Sequence, residues 1–476
     1  MAMDDRKTVL ARAAQHGQAY LEAVADRPVG ATITGADLRR ALGGPLGAAG
    51  TDPAAVLDAL AAAAEQGTIA SQGPRYFGFV IGGSLPVATG ADWLVSAWDQ
   101  NSAVYAMSPL VSVVEEITAG WMRELLALPE HGGVGFVTGC QMASFTALAA
   151  ARHEVLRRAG WDVEADGLGG APAIDVLVSE EAHYTIAMAL RLLGLGAARA
   201  RRVPTDAQGR MRGSELARML GESTGPCIVC AQAGNVNTGA FDPIAEIAAL
   251  SRARGAWLHV DGAFGLWART SPLLAGLGAG MEGADSIATD GHKWLNVPYD
   301  CGIVFCRHPE AHRAAMSLAA AYIVSDSHER DPHEFVPEES RRARAVPVYA
   351  ALRTLGRDGL RQLVERNCGQ ARRMASRLAL DPAVRILNEV VLNQVLVRFE
   401  DPSGDSEALT RAVIAGVQQE GTCWLGGTTW HGLAAMRIAI SNWATTDQDI
   451  DRSAEAILKV LQTCKSLGLS RDRLPQ

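Results

Sequence analysis

The sequence predicts an α/β protein built on a mostly parallel sheet with helices on both faces, followed by a smaller α+β unit. Three observations carry this. From about Ala143 onward, short apolar stretches alternate with helical periodicity, the pattern of strands buried on both sides between crossover helices. Two of those stretches run straight into polar residues, Asp261 in one and Asp290 to Lys293 in the other, as strands do where an open sheet binds a ligand at their carboxyl ends. After a charged stretch, His328 to Arg344, residues around Gln394–Phe399 and Ala435–Ser441 alternate with period two before a last helix.

Taken in order, Met1 to Gly73 reads as Ala/Leu-rich helix broken at Gly43-Gly44-Pro45 and Thr51-Asp52-Pro53. Then come helix 143–159, strand 173–178, helix 184–193, strand 227–231, helix 243–253 and strands 257–260, 286–288 and 302–306. Helices recur to about Leu380, and a helix over 447–467 closes the small unit, with Thr446 placed to cap it and Asp449 near its amino end. The division expected is 1–85, a helical segment; 86–365, the large domain; and 366–476, the small domain. The tail Ser470–Gln476 reads as frayed.

Bulk properties exclude several functions. The 476 residues are 48% hydrophobic and 20% charged, a folded composition. A formal charge of −8, with no Lys/Arg stripe, gives no footprint for nucleic acid. Apolar runs such as Ala143 to Ala151 are too short to span a bilayer. Asp4, Asp5, Arg6 and Lys7 stand where a signal peptide needs apolar residues, so the expected location is the cytoplasm, with reduced thiols. Cys227-x-x-Cys230 lies in a buried strand without a second pair or a nearby His, so no metal is expected.

The strongest chemical signal is Asp290-Gly291-His292-Lys293-Trp294-Leu295, in a loop just after a buried strand. A lysine whose pKa falls in such a crevice forms an imine with an aldehyde. His259-Val260-Asp261-Gly262-Ala263 ends another strand, so Asp261 emerges at the same edge. A carboxylate beside a pyridine nitrogen keeps it protonated, and a protonated ring is the electron sink that stabilises a carbanion at Cα. Thr138-Gly139-Cys140-Gln141-Met142 is a glycine turn that opens a helix, where free N–H groups cradle phosphate. His183, at a strand-to-helix junction, can stack on a cofactor ring and serve as acid or base.

In this order, and with Arg437-Ile438-Ala439-Ile440-Ser441-Asn442 downstream, these motifs resemble the group II amino-acid decarboxylases that use pyridoxal 5′-phosphate (PLP), which include the glutamate and aromatic amino-acid enzymes. The resemblance covers roughly Gly73 to Leu467. It implies fold type I, the aspartate aminotransferase-like architecture with a seven-stranded central sheet, and a homodimer with active sites at the subunit interface. It implies a Schiff base on Lys293, Asp261 as pyridinium partner and His183 as the stacking ring. Gly139, Cys140, Gln141, Asn235, Ala263 and His292 fall near the cofactor. Asp290 stands where relatives often carry Asn or a small polar residue, and an anion there is unfavourable beside phosphate unless it points away. Arg437 resembles the arginine that meets the substrate carboxylate. Phe79, Val80 and Ile81 match an apolar wall of the side-chain pocket. Asn101 and Ala103 would come from the partner subunit, and Ala103, in place of an aromatic residue, leaves room for a side chain larger than glutamate's.

One departure bears on the reaction. The family carries a tyrosine on a loop after the lysine, which protonates the quinonoid carbon once CO₂ has left. His328 to Pro337 contains none, and Tyr322 is expected earlier, on an ordered segment. His333 can donate the proton instead. Phe335 in the tyrosine's place would divert the quinonoid toward oxidative deamination to an aldehyde, or leave room for β-elimination on a cysteine conjugate. Decarboxylation remains the main expectation. An aminotransferase, or a homologue that binds a partner without turnover, is the further alternative.

Overall fold

The structure is a computed structural model, and it describes residues 6–317, 329–402 and 404–467. Three helices come first, α1 (Arg6–Ala23), α2 (Gly35–Leu42) and α3 (Pro53–Gly67), followed by α4 (Pro86–Trp98) and α5 (Pro109–Leu125). Asp52 caps α3, and proline opens α3, α4 and α5 in the first turn, where no backbone N–H is missed. The large sheet contains β1 (Gly133–Val137), β2 (Asp175–Ser179), β3 (Arg201–Val203), β4 (Cys227–Gln232), β5 (Trp257–Asp261), β6 (Ser286–Asp290) and β7 (Gly302–Cys306). Between them run α6 (Cys140–Arg158), α7 (Val163–Asp166), α8 (Tyr184–Leu192), α9 (Gly213–Glu222) and α10 (Ile244–Arg254). After β7 come α11 (Pro309–Met316) and α12 (Ala345–Leu378), the latter interrupted at Gly356, whose φ of 61° is left-handed.

The strand order is β1-β7-β6-β5-β4-β2-β3. Strands β3, β2, β4, β5 and β6 pair in parallel, while β7 runs antiparallel to both β6 and β1. This is the seven-stranded, mostly parallel sheet expected of fold type I. Strands such as β4, Cys-Ile-Val-Cys-Ala-Gln, are buried along their whole length because helices cover both faces. One apolar cluster joins β4, β5 and β6 to α9, α10 and α12, and another joins the opposite face to α6 and α8. The topology has a functional consequence: β1, β2, β4, β5 and β6 all end at the same edge.

The second sheet has the order β10-β11-β9-β8, built from β8 (Val384–Ile386), β9 (Gln394–Phe399), β10 (Gly426–Trp430) and β11 (Leu433–Ala439). Helices α13 (Ser406–Glu420) and α14 (Asp447–Ser466) close its core with the second half of α12. Thr446 caps α14 as its sequence predicts, in a reciprocal capping box with Asp449.

Sequence periodicity misses β1, β3, β8 and β10. The first lies next to Gly132-Gly133, two residues that lower strand propensity, and the others are three to five residues long. Tyr322, His328 and the tail from Ser470 lie outside the described residues.

Candidate active site

At the shared carboxyl edge lies a cavity of about 390 Å³. It is lined by Gly139, Cys140 and Gln141 after β1, by His183 after β2, by Gly234 and Val236 after β4, by Asp261 at the end of β5 and Ala263 beyond it, and by Asp290 at the end of β6 with His292 and Lys293 beyond it. Arg437 enters from β11 and Phe79 from the segment before α4. The geometry thus brings Lys293, Asp261, His183, Gly139, Cys140, Gln141, Ala263, His292, Arg437 and Phe79 together, although the sequence separates them by as much as 358 positions.

Lys293 is held by its backbone. Asn296 Nδ2 donates to the Trp294 carbonyl at 2.7 Å and to Ser441 O at 3.0 Å, and Trp294 Nε1 donates to Asn367 Oδ1 on α12 at 3.0 Å. Gly82 lies so close that a Cβ there would stand 1.7 Å from the Lys293 carbonyl oxygen. The chain reaches Gly82 through Phe79 and Val80, whose φ angles of 54° and 63° lie in the left-handed region, a strain unusual for a β-branched residue.

The ammonium of Lys293 pairs with Asp290 Oδ2 at 2.9 Å. Burial pushes the lysine down, but the Asp290 charge, then Cys140, the Asp290 hydrogen bond and Asp261 together outweigh it and hold the ammonium above the ordinary lysine range. This corrects the expectation of a lowered pKa: the crevice that desolvates the amine also supplies two carboxylates. Asp290 turns its other oxygen to the start of α6, where Oδ1 accepts the Cys140 N–H at 2.6 Å.

Asp261 accepts the Ala263 N–H at 3.1 Å and the Cys140 thiol at 3.4 Å, both on Oδ1. Its Oδ2 takes no hydrogen bond among the described residues. Burial, then the charges of Asp261 and Asp290, keep the Cys140 thiol protonated and therefore a donor. His183 bonds Thr185 Oγ1 through Nδ1 at 2.8 Å, and burial outweighs the Asp261 charge to lower its pKa, leaving a neutral ring. His292 accepts the Cys301 N–H on Nδ1 at 3.2 Å and stacks on Tyr299 at 4.1 Å. Arg437 donates to the Val236 carbonyl at 3.5 Å and has no carboxylate partner among the described residues. Burial lowers its pKa without neutralising it.

These residues fit PLP on their own chemistry. Lys293 supplies the amine, and the unpartnered Asp261 oxygen suits a ring N–H. The neutral imidazole of His183 suits an aromatic face. Gly139 provides no side-chain cap to α6, so the N–H groups after Cys140 remain for a phosphate.

Five expected residues stand elsewhere. Asn235 forms a turn, with Oδ1 accepting the N–H groups of Asn237 and Thr238, and its neighbours Gly234 and Val236 line the cavity instead. Val80 is core, and Ile81 packs against the cluster of Val29, Ala70 and Tyr76. Asn101, expected in the partner subunit's cavity and not in its own, accepts the Arg341 N–H on Oδ1 at 3.1 Å. His333 is buried, its N–H donating to Ala103 O at 2.9 Å and its Nδ1 3.1 Å from Glu339 Oε1. Phe335 is clamped between Arg330 and Arg313, 4.7 and 5.4 Å from the ring, and against β1. The short helix Pro332–Phe335 therefore uses both residues for packing, which corrects their assignment to proton transfer and substrate contact. Conversely, Tyr184, Thr185, Gln232 and Phe264 line the cavity unforeseen. Only their closeness to His183, to the end of β4 and to Asp261 could have flagged them.

The pyridoxal-dependent decarboxylase conserved domain matches residues 54–400. The chain is 30% identical over 383 residues to the L-2,4-diaminobutyrate decarboxylase of Rhizobium meliloti (strain 1021), covering 78% of this chain and 74% of that one. It is 27% identical over 461 residues to the aromatic-L-amino-acid decarboxylase of Bacillus atrophaeus, covering 94% and 92%. The crystal structure of Oryza sativa TDC with PLP and tryptamine superposes with a TM-score of 0.91 at 22% identity, covering 97% of this chain and 99% of that one. With Lys293, Asp261 and His183 gathered in one cavity, the chain belongs to the pyridoxal-dependent decarboxylase family, lyases that remove CO₂ from amino acids with PLP as cofactor.

Proposed function

We propose that the chain decarboxylates an L-amino acid with a bulky apolar or aromatic side chain. The observation that carries this reading is Arg437, a mostly buried guanidinium without a carboxylate partner among the described residues, in the same cavity as Lys293. It is placed to bind and orient the substrate carboxylate, and its charge persists despite burial. Phe79 supports the side-chain assignment: its ring stacks on Trp424 at 5.7 Å, and Trp424 stacks on Tyr76 at 5.2 Å. Tyr184 and Phe264 add further apolar wall. The lining carboxylates, Asp261 and Asp290, are engaged by Cys140 and Lys293, which leaves little to recognise a cationic side chain.

When bound, PLP supplies an electron sink that weakens a bond to Cα. Lys293 would hold it, Asp261 would keep a proton at the ring nitrogen, and neutral His183 would lie against the ring. Gln141 and the N–H groups opening α6 would hold the phosphate. An aldehyde or thiol product is what the missing loop tyrosine would allow, and the decarboxylases that match most of this chain support the plain amine instead.

The working unit we propose is a cytoplasmic homodimer. Trp93, Leu94 and Trp98 on α4 and Leu110, Val113 and Ile117 on α5 are exposed apolar residues that a second copy would cover. All eight cysteines are free and buried, in keeping with a reducing compartment.

A panel of amino acids scored together for CO₂, amine, aldehyde, peroxide, ammonia and thiol tests the reaction. Equimolar CO₂ and amine from an aromatic or large apolar substrate is the expected result. Aldehyde with peroxide and ammonia, or thiol release, would overturn it.

A further inference from the structure

Asp290 is the last residue of β6, and both of its carboxylate oxygens are committed. Oδ1 accepts the Cys140 N–H at 2.6 Å, and Oδ2 pairs with Lys293 Nζ at 2.9 Å. The backbone is fixed as well: Asp290 N donates to Ala263 O at 2.9 Å, and Trp267 Nε1 donates to Asp290 O at 3.1 Å. The side chain is only 3% exposed, so water screens this ion pair poorly.

We propose that Asp290 is the counter-ion that holds Lys293 in its unreactive ammonium form and thereby sets the pH dependence of cofactor capture. This rests on the reading of Lys293 as the attachment residue. An ammonium has no lone pair, so it must lose a proton before its nitrogen can add to an aldehyde carbon. In the condensation the N–C bond forms and the carbonyl C–O bond breaks. Two of the three ammonium protons leave with the oxygen as water, and the third stays on nitrogen.

Other groups face this pair. Asp261 comes from the end of β5 and Cys140 from the start of α6; His183 precedes α8, His292 and Tyr299 lie in the loop after β6, and Arg437 comes from β11. Among the described residues, Asp290 alone forms an ion pair with Nζ. Burial is the largest single influence and disfavours the Lys293 ammonium; the Asp290 charge is the largest influence opposing it, and together with Cys140, the Asp290 hydrogen bond and Asp261 it leaves the ammonium favoured, in agreement with the geometry. Asp290→Asn keeps an oxygen for the Cys140 N–H while removing the charge, so the helix start is preserved.

The test uses full-length protein stripped of cofactor, with recombination followed by visible absorbance from about pH 6 to about pH 9.5. In the native protein the capture rate should climb across this whole range. In D290N it should level off within the range and exceed the native rate at pH 7 by more than about tenfold, the effect of a shift of more than one pH unit. Pyridoxal, which lacks the phosphate, serves as a second probe and should show the same change in profile. Native and D290N profiles of identical shape would overturn the proposal, as would a change seen with PLP and absent with pyridoxal, which would make Asp290 a phosphate-repelling group. If D290N does not fold, Asp290→Ser carries the same comparison. Borohydride trapping in the native protein separates the two claims: attachment at Lys293 with unchanged profiles refutes the role of Asp290 alone, whereas attachment elsewhere refutes the reading beneath it.

Discussion

The Cys140 thiol lies 3.4 Å from Asp261 Oδ1, so the residue that opens α6 also steadies the carboxylate assigned to the cofactor ring. A thiol is a weak donor, and the bond reaches a buried charge. Cys140→Ala should weaken cofactor retention by about 1 kcal/mol, about fivefold, with the fold intact. Equilibrium dialysis against PLP reads this directly, and unchanged retention would assign Asp261's position to the Ala263 N–H alone.

Gly82 should tolerate no side chain. A Cβ at 1.7 Å from the Lys293 carbonyl overlaps backbone, which cannot move without displacing Lys293. Gly82→Ala should cost about 2–3 kcal/mol and release most of the cofactor. Thermal unfolding and the PLP content of the purified variant give the two readouts.

Glu115 binds two arginines away from the cavity: Oε1 meets Arg330 at 2.8 Å and Oε2 meets Arg341 at 2.9 Å, with Glu115 and Arg341 both fully buried. Arg341 also donates to the Ser102 and Phe136 carbonyls, so the cluster ties α5 and β1 to the chain preceding α12. Glu115→Ala leaves a buried cation uncompensated and should cost about 3–5 kcal/mol in urea unfolding. A loss under about 1 kcal/mol would mean that water replaces the carboxylate.

His259 links three elements, with Nδ1 3.0 Å from Ser286 Oγ and Nε2 3.3 Å from Ser144 Oγ. Burial pushes its pKa down to about 4. Because the folded state resists protonation and the unfolded state does not, this contribution to stability is complete above about pH 6.5 and is lost as pH falls toward 4. Asp242, raised to about 7 by burial, works in the opposite direction over much of the same range. The informative quantity is therefore the difference between native protein and His259→Gln, measured as unfolding free energy at pH 7 and pH 4.5. The variant should lose less stability on acidification, and parallel losses would contradict the assignment.

The gathering of the candidate residues in one cavity is legible in the sequence where strand ends carry them. Asp261 and Lys293 each follow a run of buried strand residues, so their side chains had to emerge at one edge, and Arg437 sits in an alternating strand. His333 and Phe335 were misplaced because a charged stretch carries no period to say which way it faces. Their position follows from Arg313 and Ala103, contacts made across longer sequence separations, together with the nearby Arg330. Gly82 was invisible for a related reason: its importance lies in the approach of another backbone, which no local pattern records. Asn235 shows the converse, a polar residue whose local chemistry shapes a turn.

Reducing the PLP-loaded protein with borohydride and mapping the labelled peptide tests the active-site assignment most directly. The pyridoxyl group should be found on Lys293, and Asp261→Ala should still accept the label while losing decarboxylation. Label on another lysine, or on none, would contradict the assignment on which the active site is built.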